Sequence, residues 1–372
     1  MAQFIKPDAT LGIIGGGLSA FMLAQTAHTL GFKTVILATS QTDIALTVAD
    51  IPLVGEMTNG AVLAQVAELS TIVTFIDEFV DGDLLQSLTT PAQLPSTTDL
   101  LSVTQDRYLE RVFFEDENLN ILPYAQVLTQ NDIESAVDSV GFPCILKPMQ
   151  KGFGTDQQIK LTQWSDIDAV RQLLQERPYI VEAWLDHPVQ LTVFAAKAGD
   201  DIQVFPVIEQ DMHRQKLRAD ISPARVSVAT QAEVSRIATS LAKAINYTGV
   251  FGLELLVNQS GTLYVNRIIP MPTFNGMLMT TTTGYSIYEL HLRAILGWPL
   301  PTVRPQNPGV MLPVLPGDAD AVMTQVQIKP DWRFTFYPEG NHFIGDIQII
   351  GDLPTIVREV NATGHFHIEE RK

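Results

Sequence analysis

Residues 249–277 read GVFGLELLVNQSGTLYVNRIIPMPTFNGM, and this stretch decides how the chain folds. Residues 250–257 and 262–269 are apolar and rich in β-forming residues, and the segment NQSG between them is a turn signal. Pro270 and Pro272 end the second run, because proline cannot donate to a strand ladder. Two such runs joined by a short glycine-containing loop predict a β-hairpin.

The hairpin carries a carboxylate in an otherwise apolar strand. If Val257 pairs with Thr262, Glu254 lies opposite Val265, and Arg267 becomes its diagonal neighbour on the same face. A buried carboxylate is costly unless it is paired or binds a metal. The hairpin therefore presents either a Glu254–Arg267 ion pair or part of a metal site.

The composition excludes several classes of function. The chain has 372 residues, which predicts two to four domains. It has 24 Lys and Arg against 41 Asp and Glu, a net charge of −17, which argues against nucleic acid or an anionic membrane as the main partner. A phosphorylated ligand remains compatible, since a local pocket can be basic. No apolar run approaches the roughly 18–20 residues that a membrane span needs.

Cys144 is the one cysteine, so no internal disulfide is possible and a reducing cytoplasm is expected. It lies in an apolar run, which favours a core residue over a nucleophile. We expect no signal peptide, because MAQFIKPDAT at the N-terminus has no long apolar segment.

The N-terminal region predicts a strand at residues 10–14, a Gly-Gly-Gly turn, a helix at 18–30 and a strand at 33–37. Such β–turn–α–β units can place an anion at a helix N-terminus. However, GGGLSA has Ala20 where a third glycine of a dinucleotide fingerprint would stand. Glycines at a strand–helix turn also occur where the helix and strand only have to pack tightly. The turn alone therefore gives little support for a dehydrogenase.

A second glycine-rich loop follows a strand that ends in lysine. Residues 141–148 read GFPCILKP and place Lys147 at the strand end, and QKGFGTDQ at 150–157 contains Gly152 and Gly154. Such a lysine and loop can bind polyphosphate through a point charge and backbone N–H groups. The alternative is an ordinary hairpin with a surface lysine.

Taken in order, these features resemble a known family. The GGG turn, QDR, VGFPCILKP, the glycine loop, YIVE, PVIE, ISPA, LEL followed by VN, and HLRAILG are together similar to the ATP-grasp superfamily. More narrowly, they resemble the N5-carboxyaminoimidazole ribonucleotide synthases of purine biosynthesis, which are the ATPase subunits of phosphoribosylaminoimidazole carboxylase.

The resemblance covers the chain from about Leu11 to the C-terminal β region and implies an α/β protein. The implied parts are a Rossmann-like (pre-ATP-grasp) N-terminal domain at 1–100, a central ATP-grasp subdomain at 101–185, a C-terminal ATP-grasp subdomain at 186–300 and a small β-rich region at 301–372.

The family reaction activates bicarbonate with ATP to give carboxyphosphate, whose carboxyl group passes to the amine of aminoimidazole ribonucleotide. Phosphoryl transfer needs cations around the phosphates and correct positioning. The resemblance therefore implies ATP and Mg²⁺ as cofactors, and a homodimer in the cytoplasm.

The resemblance also implies the site residues. Those at the nucleotide are Arg107, Lys147, Gly152, Gly154, Glu182, Ala183, Trp184, Leu185, Gln190, His213 and Asn266. The catalytic residues are Lys147, Asn266 and Arg267, and the metal ligand is Glu254.

Several positions depart from the family pattern. Arg267 stands where a second metal glutamate is expected, so we hypothesise that it partly replaces Mg²⁺ as a fixed cation or pairs with Glu254. Positions that serve the ribonucleotide in the family, and two in the N-terminal turn, are also changed: Met271, Thr273, Phe274, Met277, Leu18 and Phe21.

Three functions remain open on the sequence. The first is a divergent carboxylating ligase of this family, and the second is an ATP-grasp ligase with a less anionic substrate. The third is a nucleotide-binding paralogue without catalysis. A competent Mg²⁺ site would favour the first two, and activity with aminoimidazole ribonucleotide would separate them.

Overall fold

The computed structural model describes residues 3–151, 158–214, 216–339 and 341–371. Within these ranges the strands form one parallel and two further sheets, with helices packed against them. The α/β class predicted from the sequence is confirmed. No helix in the described ranges is long and apolar enough to cross a membrane.

The N-terminal sheet is parallel and has the order β3-β2-β1-β4. Its strands are β1 (Thr10–Ile14), β2 (Lys33–Ala38), β3 (Ile51–Val54) and β4 (Ile72–Phe75). Its helices are α1 (Gly17–Thr29), α2 (Gly60–Leu69) and α3 (Gly82–Leu88), with a 3₁₀ turn at Ile44–Val48. The inner strands are buried on both faces, which explains why they read as continuous apolar runs.

The glycine turn between β1 and α1 holds an anion from its own chain. Gly15 and Gly17 have φ values of 117° and 73°, a region that favours glycine. The Gly17 N–H donates to both carboxylate oxygens of Asp43, at 2.9 and 3.0 Å. A Cβ on Gly16 would stand 2.1 Å from Asp43 Oδ2. Asp43 therefore fills the position where an external anion would bind.

Two helices connect this sheet to the next one, α4 (Asp99–Gln105) and α5 (Arg107–Asp116). By sequence, residues 100–114 favour one continuous helix, and this expectation is wrong. Asp106 interrupts it with an extended backbone, and its carboxylate accepts the Tyr108 N–H at 2.8 Å. Asp106 also forms a β-bridge with Gln150, so the break joins the helices to the central sheet.

The central sheet is antiparallel, in the order β5-β8-β6-β7. Its strands are β5 (Tyr124–Val127), β6 (Cys144–Pro148), β7 (Ile159–Leu161) and β8 (Tyr179–Ala183), and its helices are α6 (Asp132–Val140) and α7 (Ser165–Val170). Cys144 is fully buried in this core, and burial raises the pKa of its thiol to about 11. The prediction of a core cysteine fits this position.

The largest sheet has the order β14-β13-β9-β11-β12-β15-β17-β16, with β10 paired to β9. Its strands are β9 (Val189–Ala198), β10 (Asp201–Val204), β11 (Ile208–His213), β12 (Lys216–Ser222), β13 (Gly249–Val257), β14 (Leu263–Ile269), β15 (Gly309–Val314), β16 (Arg333–Phe336) and β17 (Gly345–Ile350). Its helices are α8 (Val228–Ala244), α9 (Leu278–Thr283), α10 (Ile287–Ile295), α11 (Ala319–Ile328) and α12 (Leu353–Asn361).

This sheet continues across residue 300, because β15 pairs with β12. Our four-part division of the chain stays a proposal, since strands from both sides of its last boundary share one sheet. Beyond residue 300 the strands expected of a β-rich region are present, and residues 353–361, whose pattern favours a short helix, form α12. Helix α11 was not predicted, because its exposed residues include Met323 and Val326, which obscure its amphipathic pattern.

A buried histidine connects the N-terminal sheet to the largest sheet through hydrogen bonds. Nε2 of His291 on α10 lies 2.9 Å from the Thr74 hydroxyl on β4, and its Nδ1 accepts the Val250 N–H at 3.1 Å. Burial lowers the pKa of His291 to about 3, so the ring is neutral. A Cβ on Gly249 would stand 2.8 Å from Nδ1, and the glycine thus lets the ring approach the backbone.

Candidate active site

The central sheet presents a buried carboxylate that holds two cations. Glu182 on β8 is 3% exposed, and its two oxygens contact Lys147 Nζ at 2.5 Å and Arg111 Nε at 2.8 Å. Burial acts to raise the pKa of Glu182, but the charges of Lys147 and Arg111 outweigh it and bring the pKa to about 2. The lysine side chain remains 15% exposed, so its ammonium lies at the rim of this cluster.

Helix α5 joins this cluster to β14 of the largest sheet. Arg111 NH2 donates to the Asn266 carbonyl at 2.5 Å, and Glu110 accepts the Ile268 N–H at 2.9 Å. The Val265 N–H donates to the Asn120 carbonyl at 2.8 Å. The backbone on either side of Arg267 is therefore held in place by hydrogen bonds from outside the sheet.

The hairpin predicted at residues 250–269 is confirmed, but its register is not the predicted one. A β-bulge between Glu254 and Leu255 places Glu254 directly opposite Arg267, whereas Leu255 pairs with Val265. One extra residue on one strand shifts every pair beyond it. No turn or proline in the sequence signals this bulge.

The bulge brings Glu254 and Arg267 into an ion pair. Arg267 Nε lies 3.0 Å from Glu254 Oε2, and the two side chains are 40% and 19% exposed. Among the described residues, this Nε has no hydrogen-bond partner of good geometry. The guanidinium thus neutralises Glu254 through Nε, while its terminal amino groups make no hydrogen bond among the described residues.

The same face of the largest sheet carries further polar side chains. Glu254 pairs with Thr192 on β9, and Gln190 lies two residues further along that strand, on the same face. Gln190 pairs with Gln210, which pairs with Asp220. Both carboxylate oxygens of Asp220 are buried without a hydrogen-bond partner in the described ranges, and burial raises its pKa well above the usual value. A polar row therefore crosses the sheet from the ion pair.

The segment after β8 offers groups that suit a purine ring. The N–H groups of Ala183 and Trp184 donate to the carbonyls of Pro123 and Pro143. The Trp184 indole N–H donates to Asp186 at 2.8 Å. The N–H of half-buried Leu185 has no partner among the described residues and remains able to donate.

Two predicted nucleotide residues have other surroundings. Arg107 is buried and donates to the Pro148 carbonyl at 2.6 Å, which ties α5 to the end of β6. His213 ends β11 and is exposed. Gly152 and Gly154 lie outside the described residues.

The four substituted positions around residues 271–277 pack among apolar neighbours. Met271, Phe274 and Met277 belong to the large hydrophobic core. The Phe274 ring stacks on Phe343 at 4.5 Å between centroids. The hydroxyl oxygen of Thr273 is buried without a partner in the described part of the chain. This side of the site is therefore mostly apolar.

A cavity of about 530 Å³ opens beside the cluster, between the N-terminal sheet and α5. Its charged lining residues are Glu56, Glu78, Asp81, Asp83, Asp106 and Lys151. Lys151 Nζ lies 3.5 Å from Glu78 and 4.0 Å from Glu110. With five carboxylates around one lysine, this cavity repels phosphate and is not where we place the nucleotide phosphates.

The described residues do not fit a Mg²⁺ ion held by the protein. They contain no group of three or more His, Cys, Asp or Glu that could hold a metal. Mg²⁺ prefers oxygen ligands in octahedral geometry, and the one predicted ligand, Glu254, is paired with a guanidinium.

Arg111 and Glu110 are site residues that were not predicted. Polar and apolar residues are mixed along residues 100–114, which is typical of a domain junction but does not show which charges are buried. Arg111 and Glu110 are only 5% and 1% exposed. Buried charges on a helix are almost always paired, and their partners come from strands more than 70 residues away in sequence.

Comparisons with known proteins agree with this architecture. An ATP-grasp domain model matches residues 112–287, and a ribonucleotide synthetase preATP-grasp domain model matches residues 8–105. The crystal structure of an ADP complex of an N5-carboxyaminoimidazole ribonucleotide synthetase superposes with a TM-score of 0.90 at 27% identity, over 98% of each chain. The fold is shared with the Aspergillus clavatus N5-carboxyaminoimidazole synthase in complex with ADP and 5-aminoimidazole ribonucleotide, with a TM-score of 0.86 at 20% identity over 96% of this chain and 97% of that one.

Curated relatives match along almost the whole chain. The N5-carboxyaminoimidazole ribonucleotide synthase of Bacillus subtilis is 29% identical over 352 residues, which are 94% of this chain and 92% of the relative. That of Staphylococcus epidermidis is 30% identical over 369 residues, which are 97% of this chain and 96% of the relative. The chain therefore belongs to the N5-carboxyaminoimidazole ribonucleotide synthase family of ATP-grasp enzymes.

Proposed function

We propose that this chain carboxylates aminoimidazole ribonucleotide to N5-carboxyaminoimidazole ribonucleotide at the expense of ATP. The observation that supports this most directly is the junction at which Lys147 and Arg111 converge on Glu182 beside β14. It joins the central and largest sheets, and a relative of the same fold at 27% identity was crystallised with ADP.

In the proposed reaction, a bicarbonate oxygen attacks the γ-phosphorus of ATP, and ADP leaves. The amine of aminoimidazole ribonucleotide then attacks the carboxyl carbon of carboxyphosphate, inorganic phosphate leaves, and the amine loses a proton. Both steps put negative charge on phosphate oxygens, so fixed cations that meet them stabilise the transition states.

The chain's own residues take distinct roles in this proposal. Lys147 provides a point charge for the phosphates, and Glu182 positions it. Leu185 N–H donates to N1 of adenine, next to Ala183 and Trp184. Gln190 lies on the face that meets the ribose.

The remaining predicted residues act at the edges of this site. Asn266 carries the carbonyl that Arg111 binds, and its side chain faces the phosphates in the proposal. Arg107 positions the end of β6, and His213 contacts the nucleotide from the rim. Mg²⁺ enters only with ATP, whose phosphate oxygens bind it in solution.

We also propose that the enzyme is a cytoplasmic homodimer. The family resemblance supports this, and a single buried cysteine suits a reducing compartment. Sedimentation velocity tests the oligomeric state: one species of about twice 41.0 kDa is expected, and a monomer at all concentrations would contradict it.

The test of the function is calorimetric titration of ATP, followed by measurement of ADP release with bicarbonate and aminoimidazole ribonucleotide. Lys147→Met is expected to weaken ATP binding by about tenfold or more, since it removes a charge-assisted contact to phosphate. Lys243→Met, which changes an exposed lysine on α8, is the matched control and should leave binding unchanged.

ADP release that requires both substrates supports the proposal. ATP binding without ADP release would refute the carboxylation, and would indicate a nucleotide-binding protein or a ligase for another substrate. If ATP does not bind, the cluster around Glu182 is purely structural and the proposal fails.

A further inference from the structure

The Glu254–Arg267 pair has the chemistry of a phosphate site rather than of a metal site. We propose that the Arg267 guanidinium binds the nucleotide phosphates directly and takes the place of a protein-held divalent cation, so that nucleotide binding depends little on Mg²⁺. This inference rests on the proposed function, because it assumes that a nucleotide occupies the junction between the central and largest sheets.

Arg267 is held in place through its backbone. The neighbouring Asn266 carbonyl accepts from Arg111, and the neighbouring Ile268 N–H donates to Glu110. Glu254 fixes the side chain from the opposite strand at 3.0 Å. A guanidinium fixed in this way loses less conformational entropy when a ligand binds than a free arginine does.

Most donors of this guanidinium are not used by the protein. An arginine has five N–H donors in a planar fork that matches phosphate oxygens. Among the described residues, the guanidinium forms one ion pair, from Nε to Glu254 at 3.0 Å, and its side chain is 40% exposed. It therefore has both the donors and the access that a phosphate group requires.

The same geometry disfavours a metal ion on Glu254. A Mg²⁺ ion would lie roughly 2 Å from a carboxylate oxygen, and so within about 5 Å of a guanidinium nitrogen that is 3.0 Å from that oxygen. Like charges at this distance repel strongly where water is partly excluded.

Arg267 also differs from the other cations of the junction. Lys147 and Arg111 each make a hydrogen bond to Glu182, and Lys151 lies among Glu78 and Glu110. A bound phosphate would have to weaken those contacts to gain a donor. Arg267 also has carboxylates nearby, Glu254, Glu78 and Glu110, but among the described residues only its Nε is paired, so its terminal amino groups can meet a phosphate while the Glu254 contact stays in place.

The experiment is calorimetric titration of ADP into the full chain, once with excess Mg²⁺ and once with EDTA. We expect the two Kd values of the native protein to differ by less than about tenfold, the equivalent of one charge-assisted hydrogen bond. Arg267→Gln keeps a polar side chain but removes the charge and the terminal donors, and is expected to weaken binding in EDTA by about tenfold or more.

Arg267→Glu places two carboxylates opposite each other and tests the other side of the inference. It is expected to abolish binding in EDTA and to make binding depend on Mg²⁺. Arg236→Glu is the matched control, because it makes the same charge change on exposed helix α8, and both of its Kd values should equal those of the native protein.

Two results would overturn the inference while leaving the proposed function intact. One is native ADP binding that is lost in EDTA, and the other is binding in EDTA that Arg267→Gln leaves unchanged. Absence of ADP binding under both conditions would instead refute the proposed function. Thermal unfolding of each variant confirms that the protein titrated is folded.

Discussion

The buried contact between His291 and Thr74 predicts a specific loss of stability in mild acid. His291 is neutral in the fold, where burial lowers its pKa to about 3, whereas an unfolded histidine titrates near 6.5. Between these values the unfolded chain binds a proton that the native chain does not. The free energy of unfolding therefore falls as the pH falls from 6.5 towards 3.

The magnitude follows from the difference between the two pKa values. Each pH unit below 6.5 costs about 1.4 kcal/mol, so His291 alone lowers the stability by about 2 kcal/mol at pH 5.0 and by about 5 kcal/mol near pH 3. Against a typical total of roughly 5–15 kcal/mol, the loss at pH 5.0 is readily measurable.

The assay is urea unfolding at pH 7.5 and at pH 5.0, followed by fluorescence. His291→Gln is expected to be less stable than the native protein at pH 7.5 but to lose about 2 kcal/mol less between the two pH values. His367→Gln, at an exposed position, is the control and should keep the native pH dependence.

If His291→Gln and the native protein lose the same free energy between pH 7.5 and 5.0, the reasoning is refuted. A second variant covers the case in which His291→Gln does not fold. Thr74→Val leaves the ring in place but removes the partner of Nε2, and is expected to cost about 1–3 kcal/mol at pH 7.5.

Three further predictions concern other buried groups. Glu182→Gln leaves two cations without their counter-charge and should lower the free energy of unfolding by about 3 kcal/mol at pH 7, measured by urea unfolding. Because the pKa of Glu182 is lowered to about 2, the stability difference between native protein and variant is present above pH 4.5 and is lost as the pH falls towards 2. Asp220→Asn should raise the melting temperature at pH 8 but not at pH 4. The reason is that a buried carboxyl with a raised pKa lowers the stability of the fold as the pH rises above the pKa that the group has in the unfolded chain. An equal effect at both pH values would count against a protonated Asp220. Gly16→Ala should lower the free energy of unfolding by about 1–3 kcal/mol, because the added Cβ would clash with Asp43. Gly317→Ala should change the stability little, because the space around its Cβ is open. Equal melting temperatures for the two variants would contradict this.

Local patterns predicted the elements of the fold well, because they depend on neighbouring residues. The strands at β1, β6 and β13, the turn before β14 and helix α12 all follow from periodicity, glycine and proline. The break at Asp106 was missed because residues on both sides favour a helix. At the break, Asp106 forms a β-bridge with Gln150, which lies 44 positions further along the chain. A contact at that distance leaves no signal in the local sequence.

The candidate site was predicted less completely for the same reason. Lys147 and Glu182 could be named from the family resemblance, and the structure adds that they touch. Arg111 could not be assigned, since its role is set by β8 and β14 together. The contact between Glu254 and Arg267 was one of two open readings, and a bulge that the sequence does not signal made them direct partners.

The carboxylate of Asp43 in the glycine turn gives the N-terminal sheet a built-in ligand. Because Asp43 belongs to the same chain, 26 residues after Gly17, its effective concentration at the Gly17 N–H is on the order of millimolar or higher. A free phosphate would have to outcompete it and leave a carboxylate unsatisfied. The turn thus has the shape of a nucleotide-binding motif but binds a side chain of its own protein. The shape of such a turn therefore does not by itself show which ligand it binds.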